Sequence, residues 1–230
     1  PGLIRRDGDR VVANPRATID RLDDLPIPAW DLMPPGSYPP APQGVVFRRY
    51  PIAPIATTRG CPYDCAFCGS PVNMGTKLRR RGLDLLFEEI HELYDRWGVR
   101  EFHFIDDAFN LDRHRVLDFC RRLETARLDI AYTFPNGLRL NPLDREVLLA
   151  LKATGAYAFT VGIESGSQRV LDAMEKGTTV AMIEEKVRMI AEAGIEPSGF
   201  FLLGFPGETR EEMEATIELA CRLPLVRAHF

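Results

Sequence analysis

The chain has 230 residues, 45% hydrophobic and 27% charged, which supplies apolar material for one sizeable core and excludes a fibrous or disordered chain. Its 29 basic and 33 acidic side chains leave a formal net charge of −4, so the chain as a whole lacks the basic footprint of a nucleic-acid or anionic-membrane binder. Five cysteines is an odd number, and three of them (Cys61, Cys65 and Cys68) crowd into eight residues, so a disulfide framework is not expected.

Prolines crowd the opening stretch, among them Pro26, Pro28, Pro34, Pro35, Pro39, Pro40 and Pro42. Each fixes its own backbone and removes an amide donor, so residues 1–50 read as a linker and residues 51–230 as the folded core. The chain opens at Pro1 without methionine and closes on a β-like run just beginning over Leu225–Phe230, which reads as an excerpt cut at both ends. Its longest apolar run, near 199–205, is too short to span a bilayer, and no charged-then-apolar leader is present; the expectation is a cytoplasmic protein with no membrane span.

From Ile52 onward, short β-rich runs alternate with amphipathic ones. Strands are expected near 52–58, 101–106, 130–134, 157–163 and 198–203, with another beginning at Val226. Helical spacing connects them: Leu85, Leu86, Ile90, Leu93 and Trp97; Val116, Leu117, Cys120 and Leu123; Val147, Leu148 and Leu151; Ile183, Val187 and Ile190; Met213, Ile217 and Leu219. Gly98, Gly155 and Gly194 stand where left-handed C-terminal caps are expected. Repeated right-handed βα units build a parallel sheet, either open and doubly wound or curled into a whole or partial barrel. Both place a ligand site at the carboxyl ends of the strands.

The strongest chemical signal follows the first of these strands: Thr58-Arg59-Gly60-Cys61-Pro62-Tyr63-Asp64-Cys65-Ala66-Phe67-Cys68. Three thiolates at C-x3-C-x2-C spacing suit a soft metal centre, and three ligands on a four-iron cubane leave one iron open to a reactant. Structural zinc with a fourth ligand and three unrelated buried thiols are the competing readings.

The motif, with an aromatic before its last cysteine at the first strand of a βα series, resembles the radical S-adenosylmethionine (SAM) superfamily. Asp106-Asp107-Ala108-Phe109, Gly162-Ile163-Glu164-Ser165-Gly166 and Gly204-Phe205-Pro206-Gly207-Glu208-Thr209 are similar to its branch shared by cobalamin-dependent and methylthiotransferase-like members. The likeness covers about 52–225 and implies a partial (β/α)6 TIM-like barrel, here truncated at its C-terminal end. In that family the three cysteines hold a 4Fe-4S cluster whose open iron chelates SAM, and reductive cleavage gives a 5′-deoxyadenosyl radical. The segments Gly2–Arg5 and Leu22–Asp31 resemble the exit from an upstream cobalamin-binding domain, which is absent here. The implied enzyme is a cobalamin-dependent methyltransferase, or one that rearranges an unactivated carbon. Its substrate would be a small metabolite, lipid or natural-product precursor, with a reducing donor such as flavodoxin or ferredoxin and no nucleic acid. A cobalamin-independent radical SAM enzyme, methylthiotransferase-like or cyclising, and a noncatalytic zinc-binding module are the alternatives. The family's D-x-H-x-x-G cobalamin signature is not reproduced, because Asp112-Arg113-His114 is followed by Leu117 where glycine is required; His114 reads as a solvated helix residue.

Individual positions carry two readings each. Phe67 resembles the family aromatic beside the SAM adenine, or plugs the loop. Asp106 and Asp107 stand where the family binds the SAM ammonium, or cap the next helix, as Asn110 could. Glu164, at the end of an apolar strand, fits the SAM ribose hydroxyls or a helix N-terminus. Arg139 pairs with the SAM carboxylate or lies in a surface ion pair. Arg79–Arg81 read as solvated surface, Cys120 and Cys221 as apolar helix faces, and Thr209 with Glu212 as a capping box.

Overall fold

A computed structural model describes residues 2–15, 18–40 and 47–230; Pro1 and Pro42 lie outside them. The opening stretch, read as featureless linker, carries an exposed antiparallel hairpin, β1 (Ile4–Asp7) and β2 (Arg10–Ala13), turned by Gly8 at φ +59°. Its strands are almost wholly exposed, so no hydrophobic period marks them. A 3-10 turn at Leu22–Asp24 and another at Pro35–Ser37 follow.

The body then runs β3 (Ile52–Ile55), β4 (Thr58–Arg59), α1 (Ser70–Met74), β5 (Arg79–Arg80), α2 (Leu83–Arg96), β6 (Glu101–Phe104), α3 (Arg113–Ala126), β7 (Ala131–Leu138) and α4 (Arg145–Ala153). It continues with β8 (Ala156–Glu164), α5 (Gln168–Ala173), α6 (Val180–Glu192), β9 (Glu196–Phe201), α7 (Arg210–Arg222) and β10 (Arg227–His229). Six strands pair in parallel in the order β10-β9-β8-β7-β6-β3. A doubly wound sheet reverses its strand order at a switch point, and this one never does. Sequential order with crossovers of the usual right hand puts the connecting helices α2, α3, α4, α6 and α7 on one face, which is the winding of an open, partial barrel.

Alternation along the strands sorts the two faces. Ala53, Ile55, Phe102, Phe104, Tyr132, Phe134, Phe159, Val161 and Ile163 join one buried core with Leu86 and Ile90 of α2, Phe119 of α3, Leu148 of α4, Val187 of α6 and Leu219 of α7. Phe104, Phe109, Phe119, Tyr132 and Phe134 form its aromatic centre, with ring centroids from 4.6 to 5.9 Å apart. Several alternate positions, His103, Thr133, Thr160 and Ser198 among them, are buried polar residues.

Gly98, Gly155 and Gly194 all take positive φ, as their cap positions require. At Gly155 a Cβ would stand 2.3 Å from the Ile130 carbonyl oxygen, so no other residue fits that close approach. One core reading, at Cys221, and one surface reading, at Arg81, are corrected. Cys221 is exposed, because α7 turns Thr216 and Leu219 inward instead, whereas Cys120 is buried. Arg81 is not solvated: its guanidinium pairs with the buried Glu89 of α2, which also accepts from Trp30 at 3.1 Å. His114 is exposed, as expected.

Candidate functional site

The carboxyl ends of β3, β6, β7 and β8 bring the singled-out residues to one edge of the sheet. After β3 the chain passes through β4 into the cysteine loop and returns through α1 to β5, which pairs with β4. Gly60 opens the loop at φ +87°, where a Cβ would meet the Lys77 carbonyl oxygen at 2.5 Å. The Cys61 amide donates to Gly75 O at 3.2 Å, the Cys68 amide to Cys65 O at 2.9 Å and the Ala66 amide to Met174 O at 3.0 Å. The loop is thus folded on itself and tied to the end of α5.

Cys65 is buried, Cys61 half-buried and Cys68 exposed, and the Ser70 amide points at Cys68 Sγ from 3.4 Å. Burial pushes the Cys61 thiol up; a backbone hydrogen bond from Tyr63 and the charge of Arg139 work against it, while Cys68 and Cys65 add to it. The three sulfurs therefore share one electrostatic neighbourhood. Among the described residues no three Cys, His, Asp or Glu side chains converge tightly enough to hold one ion. Zinc needs all its donors about 2.0–2.3 Å from a single point, whereas a cubane offers each thiolate its own iron. Three soft thiols in one neighbourhood are the donor set such a cluster takes.

Arg139, just past β7, lies at this loop rather than in a surface ion pair. Its Nη1 is 3.7 Å from Cys65 Sγ, its guanidinium stacks 3.5 Å from the Tyr63 ring centroid, and Nη2 donates to the Lys176 carbonyl at 2.6 Å. Asn110 clamps its backbone, accepting from the Arg139 amide at 3.2 Å and donating to the Arg139 carbonyl at 2.7 Å. Asn110 is thus no helix cap.

Neither Asp106 nor Asp107 caps α3; Asp112 does, accepting from the Arg115 amide at 3.1 Å. Asp106 is buried, and its Oδ1 takes the Thr57 amide at 2.8 Å, the Thr57 hydroxyl at 3.0 Å, the Thr58 hydroxyl at 2.7 Å and the Thr58 amide. It pins the approach to the cysteine loop. Burial pushes its carboxyl up to about 6 in spite of those donors, and Oδ2 is buried without a partner. Asp107 accepts more loosely from the Gly60 amide at 3.3 Å.

Glu164 ends β8 at a bulge with φ +66°, a left-handed conformation that costs a non-glycine residue about 1–2 kcal/mol. Its carboxylate is paired with Lys176 at 2.7 Å, both side chains about nine-tenths buried. Gly162 leaves room for the pair: a Cβ there would lie 2.5 Å from Glu164 Oε1 and 2.6 Å from Lys176 Nζ. Lys176 also reaches over the half-buried Phe67, 5.5 Å from its ring centroid. Helix α5 is capped by Ser167, not Glu164. Further on, Thr209 and Glu212 form the expected capping box at α7, where hydrogen bonds from Arg169, first, and Thr209 bring the Glu212 carboxyl down to about 2.

The radical SAM superfamily model matches residues 55–220. The chain belongs to that superfamily. An uncharacterized methyltransferase of Pyrococcus horikoshii is 36% identical over 230 residues, all of this chain and 48% of its own length. Cytidylyl-2-hydroxyethylphosphonate methyltransferase of Streptomyces wedmorensis is 31% identical over 86% of this chain and 39% of its own. Among solved structures, the radical SAM methyltransferase TsrM of Kitasatospora setae, with cobalamin and a [4Fe-4S] cluster bound, superposes at a TM-score of 0.70 with 26% identity, covering 77% of this chain and 36% of that one. This radical SAM chain thus spans less than half the length of these relatives. No helix among the described residues is long and apolar enough to cross a membrane.

Lys176, Tyr63 and Gly162 were not singled out from the sequence. Lys176 lies just past a short helix in a polar stretch, and only the fold brings it back to β8. Tyr63 lay inside the motif, but nothing local distinguishes a platform for Arg139 from an ordinary aromatic.

Proposed function

We propose that the edge formed by Cys61, Cys65, Cys68, Glu164 and Arg139 binds a 4Fe-4S cluster and SAM, within an enzyme that uses cobalamin to methylate or rearrange an unactivated carbon of a small molecule. The observation that carries this reading is the shared neighbourhood of three thiols, backed by a guanidinium, at the carboxyl edge of a parallel sheet. Held by Cys61, Cys65 and Cys68, the cluster would supply one-electron reduction to SAM bound beside it, and with it the radical chemistry that activates a substrate C–H bond.

The chain's own residues prepare that chemistry. Gly60, Asp106 and the Gly75 carbonyl set the shape of the loop that carries the three cysteines. Arg139 places its guanidinium beside Cys65 Sγ, 3.7 Å away, at the mouth of the loop. Lys176 holds Glu164 Oε1, leaving Oε2 to accept the ribose hydroxyls, while Phe67 offers a face to the adenine. Arg139 pairs with the SAM carboxylate, and the loosely engaged Asp107, rather than the saturated Oδ1 of Asp106, takes the ammonium. The cofactor carries the difficult chemistry, and the sheet orients and shields it.

Residues 51–230 are read as the radical SAM core and residues 1–50 as the connection to a cobalamin-binding region. Flavodoxin or ferredoxin is the proposed electron donor. Anaerobic reconstitution should give about four iron per chain and reductive cleavage of SAM. One tightly bound zinc in place of iron would refute the cluster. A longer protein that restores flanking sequence yet binds no cobalamin would move the assignment to a cobalamin-independent member.

A further inference from the structure

Away from the cysteine loop, a cavity of about 680 Å³ opens between β3, β6 and the proline-rich stretch. Trp30, Leu32, Tyr38, Tyr50 and Pro54 supply much of its wall, and His103 is among the lining residues. Such a volume, apolar with few polar groups, is typical of small-ligand sites.

His103 is 1% exposed and held in one orientation. Its Nε2 lies 3.0 Å from Glu101 Oε1, which also accepts from the Tyr157 hydroxyl at 2.7 Å; the Arg48 and Arg49 amides donate to Glu101 Oε2 at 2.7 and 2.5 Å. Burial would raise the Glu101 carboxyl, but hydrogen bonds from His103, Tyr157, Arg49 and Arg48 outweigh it and hold the group below its usual range. Glu101 is therefore an ionised acceptor, and Nε2 must carry the proton. In the neutral ring Nδ1 is then an acceptor, and it is buried with no partner. Leaving such a group unsatisfied costs free energy that a ligand donor would recover.

We propose that this cavity binds the apolar part of the substrate, a ring or chain bearing one N–H or O–H group, and that His103 Nδ1 accepts a hydrogen bond from that donor. Calling the occupant the substrate rests on the radical SAM reading above; its binding requires neither cluster nor SAM. His103 lies three residues before Asp106, so at roughly 3.3 Å per residue the anchor is about 10 Å along the strand from the carboxyl edge.

The test uses two matched probes, 2-naphthol and 2-methoxynaphthalene, of which only the first donates a hydrogen bond. Calorimetric titration of the full chain should show 2-naphthol binding roughly two- to tenfold more tightly, the range of one neutral hydrogen bond. His103→Phe, which keeps a planar ring, should bring that ratio to one, and Trp30→Ala should weaken both probes alike. Circular dichroism and thermal unfolding check that each variant folds; a variant that does not is replaced by His103→Leu or Trp30→Leu. No binding of either probe, equal affinities in the parent, a preference that survives loss of the imidazole, or affinities indifferent to Trp30 would overturn the proposal. The cysteine and SAM measurements would be untouched by that failure.

Discussion

Replacing Lys176 by methionine keeps an unbranched stem of similar length while removing the charge that faces Glu164. The two side chains are 11% and 9% exposed and meet at 2.7 Å, so water cannot take over for the missing ammonium. Breaking a buried pair from one side costs roughly 3–5 kcal/mol, because the remaining charge stays desolvated. That is a large share of a typical domain stability of about 5–15 kcal/mol. The double variant Lys176→Met with Glu164→Gln removes both charges and should regain most of the loss, ending within about 2 kcal/mol of the parent. Gly162→Ala attacks the same pair from below. Its methyl would lie 2.5 and 2.6 Å from the two flexible tips, parting them without moving backbone, at about 1–3 kcal/mol. Urea unfolding at pH 7, followed by circular dichroism, measures all three. A loss under about 1 kcal/mol for Lys176→Met, or a double variant no better than the single, would show that the pair is not the buried unit described.

Changing Cys61, Cys65 or Cys68 singly to alanine should abolish the full iron complement, while Cys120→Ala and Cys221→Ala leave iron content unchanged; colorimetric iron analysis after anaerobic reconstitution decides. Glu164→Gln should weaken SAM binding by roughly ten- to a hundredfold, the worth of a charge-assisted hydrogen bond, with iron intact; equilibrium dialysis showing unchanged affinity would remove Glu164 from the site. Burial holds the Asp106 carboxyl at about 6 in the folded chain, above the ordinary aspartate value of 3.8. The folded state therefore holds a proton that the unfolded state releases, and this contribution is full below pH 3.8 and lost as pH rises through about 6. Asp106→Asn should remove that component from urea midpoints compared at pH 4.5 and 7, and an unaltered pH dependence would contradict the burial argument.

The cysteine triplet was legible because three ligands within eight residues need only a local loop, and the strands and major helices because hydrophobic period reports which face is buried. The small elements were not. Helices α1 and α5 and the β4–β5 pair are too short to show a period, and the β1–β2 hairpin buries almost nothing for a pattern to record. Capping by Asp106 was a fair local reading, since Asp before a helix usually caps; the acceptor went instead to Thr57 and Thr58, nearly fifty residues earlier in the chain.

Local chemistry, then, is what the sequence determined by itself: the thiol loop, the repeated βα units, the glycines at helix ends and the capping box at Thr209 all depend on residues a few positions apart. Tertiary structure decided the rest. It selected the partial barrel over the doubly wound sheet, because strand order is a long-range property. It turned Arg139 toward Cys65, placed Lys176 against Glu164 over the bare backbone of Gly162, and set Glu101 to fix the proton on His103. Burial and charge pairing act through space, and the value of a carboxylate or a lysine depends on what faces it across the fold, which no interval along the chain records.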